Sequence, residues 1–306
     1  MKICVMGNCQ SAPIKSLLQQ RLNVPCEIIQ IKPVHLLKEH DIKGVIATLS
    51  SSDVVVTHLI SNNYNNFPIG TGQLVDTIKA GAKIIVVPNA HYIGYFPSFI
   101  YIKDSKGRGV TPRVPEYSHF PSDYHDAFCI AAKIKGYSLE KLFEFYENYK
   151  GAADWLEGYI DESLLNLRER EQDCDIKISD FIEDNYKNRQ LFWTFNHPTN
   201  ELLIYMVDQV IDKLGLSPVQ NKATDEYLQE AILPIFPFIS KNLGISFDAE
   251  NFSMEGIDSY RKYVSLCWSG YEKSQEVLDV NRKNRRVVEC MDILNKFDNA
   301  VMGIQK

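Results

Sequence analysis

The sequence lacks the features that would place the protein in a membrane, on nucleic acid or in an oxidising compartment. No run reaches the roughly 18 apolar residues that a membrane helix needs, and no basic leader with a small-residue cleavage site precedes the first apolar run. The net charge of −6 argues against a nucleic-acid-binding surface. The seven cysteines are scattered and form no C-x-x-C pair, which fits a reducing compartment and no zinc site. We therefore expect a cytoplasmic protein with no nucleic-acid partner, no metal and no integral membrane segment.

The sequence also lacks the usual nucleotide-binding fingerprints. It contains neither G-x-G-x-x-G after a strand nor a P-loop. What it does contain is an ordinary globular composition, with 306 residues of which 45% are hydrophobic and 24% charged. That length suits one large domain or two modest ones.

Strand patterns alternate with helical patterns in the first 120 residues. The strands are predicted at residues 2–6, 27–31, 53–58 and 83–87. The third of these, DVVVTH, is apolar on both faces, as is typical of a central strand in a parallel sheet. The alternation predicts βαβ units in an α/β fold, with a doubly wound, mostly parallel sheet between two layers of helices.

The remainder, residues 121–306, is predicted to be mainly helical. Helices are expected at residues 124–135, 138–149, 152–171 and 200–214, and a long surface loop at 97–121. One apolar run at residues 190–195 is predicted to return to the sheet as a strand. The expected organisation is thus an α/β core over residues 1–120, followed by a helical region that sends one strand back.

The GNCQ turn, residues 7–10, is where chemistry is most expected. It links the first strand to a helix that Ser11 can cap. Cys9 would then stand at a helix N-terminus, where partial positive charge and unpaired amides lower the pKa of a thiol and can hold an anion. Alternatively, Cys9 is a small buried hydrophobe, as we expect for Cys4 in the strand.

Ligands of a doubly wound sheet bind beyond the carboxyl ends of its strands. Loops at residues 7–10, 58–63 and 88–95 are predicted to meet at that edge, and all three are rich in hydrogen-bonding groups. Their side chains, with those of two later turns, are the candidates for cofactor binding: Asn8, Gln10, Ser11, Asn63, His91, Tyr95, His125 and Asn196. Amides of residues 8–10, with Asn62 or Asn63, are candidates for stabilising an oxyanion, and Asn62 is the preferred catalytic asparagine.

A reactive thiol needs a neighbouring base, and histidine is the usual one. Four of the seven histidines lie next to a predicted turn or strand end: His58, His91, His125 and His197. His197 is the preferred base, because it follows an apolar strand and precedes a proline that fixes the turn. The alternative is that His197 only caps the next helix. If His197 lies elsewhere, His125 or His58 takes the role.

The GNCQ turn resembles the first block of the SGNH esterases, in which a glycine, a small polar residue and a serine follow the first strand. Cysteine stands here in place of that serine. Asn62 or Asn63 and His197 could match the remaining blocks, but Thr194 occupies the position of the usual aspartate. This resemblance implies an esterase or hydrolase with a thiol nucleophile.

A more specific resemblance rests on six segments in order. They are VMGNCQ, DVVVTHLISNNY, IIVVPNAHYIGYFP, the YHD of residues 124–126, the GYS of residues 136–138 and ISDFIEDNYKNRQLFWTFNHP, and they span roughly residues 1–215. In this set the chain resembles the WcbI family of capsular polysaccharide biosynthesis proteins. The resemblance implies an acetyltransferase that binds coenzyme A. The region from residue 217 to the end does not contribute to it.

The resemblance implies the transfer of acetyl from acetyl-coenzyme A to a hydroxyl of a sugar or polysaccharide precursor. Cys9 would carry the acyl group or line the thioester pocket, and His197 would be the base. The phosphates of coenzyme A require local cations, which could come from Lys15 or from residues 103–108, 187–189 or 282–286; the loop at 103–108 is preferred as a clamp. A non-catalytic carbohydrate-binding protein is the remaining alternative. The acceptor sugar and the oligomeric state, a homo-oligomer included, do not follow from the sequence.

Overall fold

The fold is described by a computed structural model over residues 1–220, 225–249, 252, 254 and 256–303. The first elements are β1 (Lys2–Met6), α1 (Ser11–Arg21), β2 (Glu27–Gln30), α2 (Glu39–Ser51), β3 (Val54–His58) and β4 (Lys83–Val87), with 3-10 turns at Val34–Leu36, Tyr64–Asn66 and Thr71–Asp76. The next are β5 (Phe99–Ile100), a 3-10 turn at Pro115–Tyr117, β6 (His125–Asp126), α3 (Ala127–Ile134), α4 (Leu139–Asn148), α5 (Ala153–Glu171) and α6 (Ser179–Asn185). The last are β7 (Phe192–Thr194), β8 (His197–Pro198), α7 (Asn200–Lys213), α8 (Pro237–Leu243), α9 (Tyr260–Lys273), α10 (Gln275–Asn281) and α11 (Arg285–Val301).

The chain divides into two compact units, each built from several segments. Unit 1 comprises Met1–Tyr92, Glu162–Tyr186 and Gln190–Gln229, and unit 2 comprises Ile93–Asp161, Lys187–Arg189 and Glu230–Lys306. The sequence-based boundary near residue 120 falls inside unit 2. Alternation of strands and helices does not reveal that a later segment folds back into an earlier unit.

A four-stranded parallel sheet with the order β2-β1-β3-β4 forms the centre of unit 1. Since β2 and β3 flank β1 on opposite sides, right-handed crossovers place α1 and α2 on opposite faces of the sheet. The direction of winding reverses between β1 and β3, which opens a crevice beyond the carboxyl ends of these two strands. The predicted α/β fold with a parallel sheet is confirmed.

One face of this sheet is sealed by an apolar cluster. Cys4 and Met6 of β1, Val55 of β3 and Leu49 of α2 belong to it, and all four are fully buried. Burial raises the pKa of the Cys4 thiol to about 12, so Cys4 is the inert core residue that was expected.

The run at residues 190–195 does not join the main sheet as predicted. Its strand β7 instead pairs antiparallel with β8, which follows after a short turn, and Thr194 lies opposite His197. The backbone of the turn is held in unit 1 by a 2.8 Å hydrogen bond from Tyr92 N to Phe195 O. The apolar sequence predicted a strand correctly, but it carries no information about the strand's partner.

Unit 2 contains helices packed through aromatic side chains. Tyr146 of α4 stacks on Phe236, with ring centroids 4.3 Å apart. The helix predicted at 124–135 begins later, at Ala127, because the Asp126 carboxylate accepts hydrogen bonds from the amides of Phe128 and Cys129 and so caps it. Ser138 caps the following helix by accepting from Lys141 N.

Two smaller features complete the comparison with the sequence. Residues 71–76 form a 3-10 turn between β3 and β4. No helix within the described residues is long and apolar enough to cross a membrane.

Candidate functional site

The Gln10 side chain joins three segments at the carboxyl edge of the unit 1 sheet. Its Nε2 donates to Ala90 O at 2.8 Å and to Asn196 O at 2.9 Å, and its Oε1 accepts from Ala90 N at 3.1 Å. Gln10 itself is fully buried. The GNCQ turn, the loop after β4 and the turn between β7 and β8 therefore meet around the side-chain amide of Gln10. Cys9 directly precedes Gln10 in the chain, and His197 directly follows Asn196.

Asn8 fixes the shape of the GNCQ turn. Its Oδ1 accepts from Gln10 N at 2.9 Å, while its Nδ2 donates to Asn89 Oδ1 at 2.7 Å. Its backbone carbonyl accepts from Ser11 N at 3.1 Å and from Ser11 Oγ at 2.7 Å. The cofactor-binding role expected for Asn8 and Ser11 thus competes with hydrogen bonds that the turn already uses.

The start of α1 differs from the prediction in one respect. Gln10 occupies the N-cap position and makes no side-chain cap, whereas Ser11 is the first helical residue and is buried. Ser11 therefore does not cap the helix as expected. The backbone amide of Gln10, one of the predicted oxyanion donors, already donates a hydrogen bond to Asn8 Oδ1.

Asn62 and Asn63 lie on an exposed loop after β3. Asn63 adopts a left-handed backbone with φ of 54°, a conformation that asparagine tolerates well. Its amide donates to Gln73 Oε1 and its Oδ1 accepts from Gln73 Nε2, both at 2.9 Å. Asn62 packs against Gly70, where a Cβ would come within 2.4 Å of the Asn62 Cα. Turn geometry therefore accounts for the asparagines here.

The turn that precedes His197 is internally braced. Thr194 Oγ1 donates to Asn196 Oδ1 at 2.8 Å, so Thr194 orients the turn from the position where an SGNH esterase would have its aspartate. His197 begins β8 and is half-buried. Its proximity to Cys9 stays a prediction, supported by the hydrogen bond that joins the adjacent residues Gln10 and Asn196.

His91 lies beside a cation that the sequence did not single out. Burial, followed by the charge of Arg170, lowers the pKa of His91 to about 4, so its imidazole is neutral at pH 7. Its ring centroid is 5.4 Å from that of Phe195. Arg170, on α5, donates from Nε to Asn166 O at 3.0 Å, and within the described residues it forms no ion pair with a carboxylate. The sequence around a single arginine on a charged helix does not indicate that the arginine will act on a distant histidine.

Two of the predicted cofactor-binding residues belong to unit 2. Tyr95 is fully buried and donates its hydroxyl to Arg189 O at 2.9 Å. His125 is also fully buried, with Tyr271 OH 2.8 Å from Nδ1 and Val110 O 3.0 Å from Nε2. Burial lowers the pKa of His125 to about 4, which gives a neutral ring whose Nε2–H donates to Val110 and whose Nδ1 accepts from Tyr271. Both residues have clear structural roles.

Two arginines from the cationic stretches in unit 2 are engaged by their own neighbours. Arg108, in the loop preferred as a clamp, binds Asp104 Oδ2 at 2.8 Å and Glu116 Oε1 at 3.1 Å. Near the C-terminus, Arg286 stacks on the Tyr159 ring with its guanidinium carbon 3.8 Å from the centroid. In unit 1, the charge of Arg170 acts on His91 and so lies within reach of the candidate site.

Cys9 differs from most of the other cysteines in exposure. All seven cysteines are free, and Cys9 is half-exposed. Burial raises the pKa of Cys129, Cys267 and Cys290 well above the usual value of a thiol. Among the described residues, no group of three histidine, cysteine or acidic side chains could hold a metal ion.

Comparison with known proteins now identifies the class. The sequence matches the family described as "Polysaccharide biosynthesis enzyme WcbI" over residues 2–219. The chain thus falls in a class of enzymes of polysaccharide biosynthesis. Within that class, the chain belongs to the WcbI family. No functionally curated protein matches the sequence significantly.

A solved structure of WcbI shares the fold. It matches with a TM-score of 0.73 and 21% sequence identity, covering 95% of this chain and 98% of that chain. That structure is described as the native protein without a disulfide bond between coenzyme A and one of its cysteines. The likeness extends beyond residue 219, where the sequence resemblance ends.

Proposed function

We propose that this protein is a cytoplasmic acyltransferase that uses acetyl-coenzyme A to acetylate a sugar hydroxyl during synthesis of a capsular or other surface polysaccharide. The observation that carries the proposal is the meeting of the Cys9 turn and the His197 turn around the buried Gln10 amide. Family membership supplies the polysaccharide context. The description of the WcbI structure mentions coenzyme A together with a cysteine of that protein. This mention supports coenzyme A as the carrier of the acetyl group here.

The residues of unit 1 fit coenzyme A in chemical terms. A phosphate-bearing ligand needs a cation, and Arg170 offers a guanidinium beside His91. A thioester needs a half-exposed site near polar hydrogen-bonding groups, which the Cys9 turn offers. Arg170 would hold phosphate, and Asn196 and His91 would line the path to Cys9. When bound, acetyl-coenzyme A would supply an acetyl group activated as a thioester.

In the proposed mechanism the protein's own residues manage the proton and the geometry. His197 accepts the proton of the attacking group, either the sugar hydroxyl or the Cys9 thiol, and returns it to the departing sulfur. Gln10 is a positioning residue, because it holds the two turns together without needing to touch substrate. Backbone amides of the GNCQ turn other than that of Gln10 would stabilise the oxyanion.

The test is turnover with defined acceptors. The protein is incubated with acetyl-coenzyme A and a panel of nucleotide sugars and capsular oligosaccharides, and acetylated product is detected by mass spectrometry. We expect acetylated sugar in stoichiometric balance with released coenzyme A, and a loss of at least a hundredfold in the His197→Ala variant. Hydrolysis of an aryl acetate without transfer to sugar would instead indicate a thiol esterase. Sugar binding without turnover of either substrate would indicate a non-catalytic carbohydrate-binding protein.

A further inference from the structure

Asn89 follows the last residue of β4 by two positions, yet its side chain reaches the GNCQ turn that follows β1. In the sheet, β3 lies between β1 and β4, and neighbouring strands are about 4.8 Å apart. The loop after β4 therefore leans across the end of β3, over a gap of about 10 Å, to meet the turn. Loop and turn both belong to unit 1.

Cys9 lies between two residues that this loop contacts. Asn8 Nδ2 donates to Asn89 Oδ1 at 2.7 Å, and the Gln10 side chain forms two hydrogen bonds with the backbone of Ala90. The GNCQ turn and the loop therefore run side by side. The side chain of Asn89 is held against the residue that directly precedes Cys9.

The hydrogen-bond network determines which atom of the Asn89 carboxamide faces Asn8. A backbone N–H can only donate, so the atom that accepts from Gln10 N at 2.9 Å must be the Oδ1 of Asn8. The other polar atom of Asn8, Nδ2, can only donate, so the atom it meets must be the Oδ1 of Asn89. The Nδ2 of Asn89 is thus the atom left over.

This Nδ2 is a donor that a ligand can reach. No described residue accepts a hydrogen bond from it, and it is not sealed from solvent as the unpartnered nitrogens of Trp155 and Trp193 are. Asn89 is half-buried and, together with Asn8, lines an open crevice of about 190 Å³ beyond the ends of β1 and β3. An acetyl group is far smaller than this volume.

A neutral N–H donor beside a thiol nucleophile suits the stabilisation of an oxyanion. When the Cys9 thiolate attacks the carbonyl carbon of a thioester or ester, a C–S bond forms and the π electron pair moves onto the carbonyl oxygen. Collapse re-forms the C=O bond and expels the departing thiolate or phenolate, which takes the proton that His197 accepted from the thiol. Donors placed beside the oxygen lower the barrier to this step. Since the Gln10 amide is already engaged, the turn has one fewer backbone donor to offer.

We infer that Asn89 is a further catalytic residue, and that its Nδ2–H donates to the carbonyl oxygen of the acyl group that Cys9 attacks. The inference rests on the proposed acyl transfer and commits to the course in which the Cys9 thiolate attacks first, before the sugar hydroxyl. It gives Asn89 the role that the sequence favoured for Asn62, which packs instead against Gly70.

The test compares two reactions of the same thiol. Acetylation of Cys9 by p-nitrophenyl acetate or acetyl-coenzyme A passes through an oxyanion, whereas alkylation of Cys9 by iodoacetamide does not. Both rates are measured at pH 7 by mass spectrometry of the Cys9 peptide. Because both reactions consume thiolate, the ratio of the rates cancels any change in the pKa of Cys9. Distortion of the turn would alter both rates, but loss of an oxyanion donor lowers the ratio of acetylation to alkylation.

Two variants separate donation from its alternatives. Asn89→Asp keeps the oxygen that accepts from Asn8 and removes the donor, whereas Asn89→Ala removes the donor without adding charge. We expect the ratio of acetylation to alkylation to fall about a hundredfold in both variants. The matched control is Asn65→Asp, which adds the same charge at an exposed asparagine of unit 1 and should leave the ratio unchanged. Asn89→Leu, which is uncharged and similar in shape, replaces either variant if it fails to fold.

The possible outcomes distinguish the inference from the proposed function. A lower ratio in Asn89→Asp alone would indicate charge repulsion, and a lower ratio in Asn89→Ala alone would indicate that Asn89 only positions Asn8. Either result would overturn the inference, as would a wild-type Cys9 that neither acetyl donor modifies. Acetylation of Cys9 that depends on Asn89, without any acetylated sugar, would support the inference and reject the proposed function. Acetylated sugar with an unchanged ratio in both variants would do the reverse.

Discussion

Gln10 Nε2 lies 2.9 Å from Asn196 O, although the two residues are 186 positions apart in the chain. This contact, together with those of Gln10 to Ala90, joins the turn that carries Cys9 to the turn that carries His197. These hydrogen bonds take the place of the pairing that was predicted between the strand at residues 190–195 and the main sheet. The two turns are assembled by one buried amide rather than by a continuous ladder.

The first prediction concerns Gln10. Gln10→Ala removes two buried hydrogen bonds to Ala90 and a partly buried one to Asn196 O, and leaves the Ala90 amide and two carbonyls without this partner. We expect a loss of about 2 kcal/mol or more in the free energy of unfolding, measured by denaturant titration. Gln19→Ala, at an exposed position of the same helix, should change stability by less than about 0.5 kcal/mol. Equal stability of the two variants would remove Gln10 from the assembly of the site.

The second prediction concerns the Cys9 thiol. Because Cys9 lies just before the N-terminus of α1 and is half-exposed, we expect iodoacetamide to modify it faster than the other six cysteines at pH 7. Cys26 is the matched comparison, because it is also half-exposed but does not precede a helix. Burial raises the pKa of Cys174 to about 12, so Cys174 should react slowly. Peptide mapping after brief labelling measures the order. Labelling of Cys26 at the same rate as Cys9 would show that the turn does not activate the thiol.

The third prediction concerns the cation beside His91. Arg170→Ala should weaken coenzyme A binding at least tenfold, about 1.4 kcal/mol, when measured by calorimetry at low salt. The control on the same helix is Arg168→Ala, because Arg168 is engaged by Asp180 and Glu183. The loss should shrink at high salt, where phosphate–guanidinium attraction is screened. If Arg170→Ala and Arg168→Ala bind coenzyme A equally well, the phosphates lie elsewhere, and the loop at 103–108 returns as a candidate.

The fourth prediction is a pH dependence that originates in unit 2. His125 has a folded-state pKa of about 4 and an ordinary value of 6.5 when exposed. The unfolded chain therefore binds more protons between these values, so the stability contributed by His125 is present above pH 6.5 and is lost as the pH falls toward 4. From pH 7 to pH 5 this linkage amounts to about 2 kcal/mol.

Other groups contribute to the pH dependence of the unfolding free energy, so the test compares how steeply this free energy changes with pH in each variant. His58 and His91 act in the same direction as His125, whereas Asp126 opposes them, because burial raises its pKa to about 6. His125→Gln should reduce the pH 7 to pH 5 difference in unfolding free energy by about 2 kcal/mol relative to the wild type. His40→Gln, at an exposed position, is the control. An unchanged slope in His125→Gln would mean that the ring is charged in the folded state.

Sequence patterns identified the local elements well. The strands at residues 2–6 and 83–87 are found with the predicted bounds, since short apolar runs between turn residues leave little choice. Ser138 caps its helix for an equally local reason, because a serine hydroxyl at this position can accept a hydrogen bond from the backbone amide three residues later. Each of these features depends on neighbours in the chain.

What the sequence could not supply is tertiary partnership. The strand Phe192–Thr194 was predicted, but its pairing with His197–Pro198 was not, because a short apolar run fits many partners. Arg170 was missed, since only the fold brings it beside His91. His58 was predicted as an alternative base, yet its nearly complete burial follows only from the tertiary packing around the end of β3.

The most direct measurement of the central claim is a crystal structure of the protein with coenzyme A. The account predicts that the coenzyme A sulfur lies next to Cys9 Sγ, at the edge where Gln10 joins Ala90 and Asn196, with a phosphate on Arg170. Binding of coenzyme A entirely to residues of unit 2, with the Cys9 turn unoccupied, would contradict it.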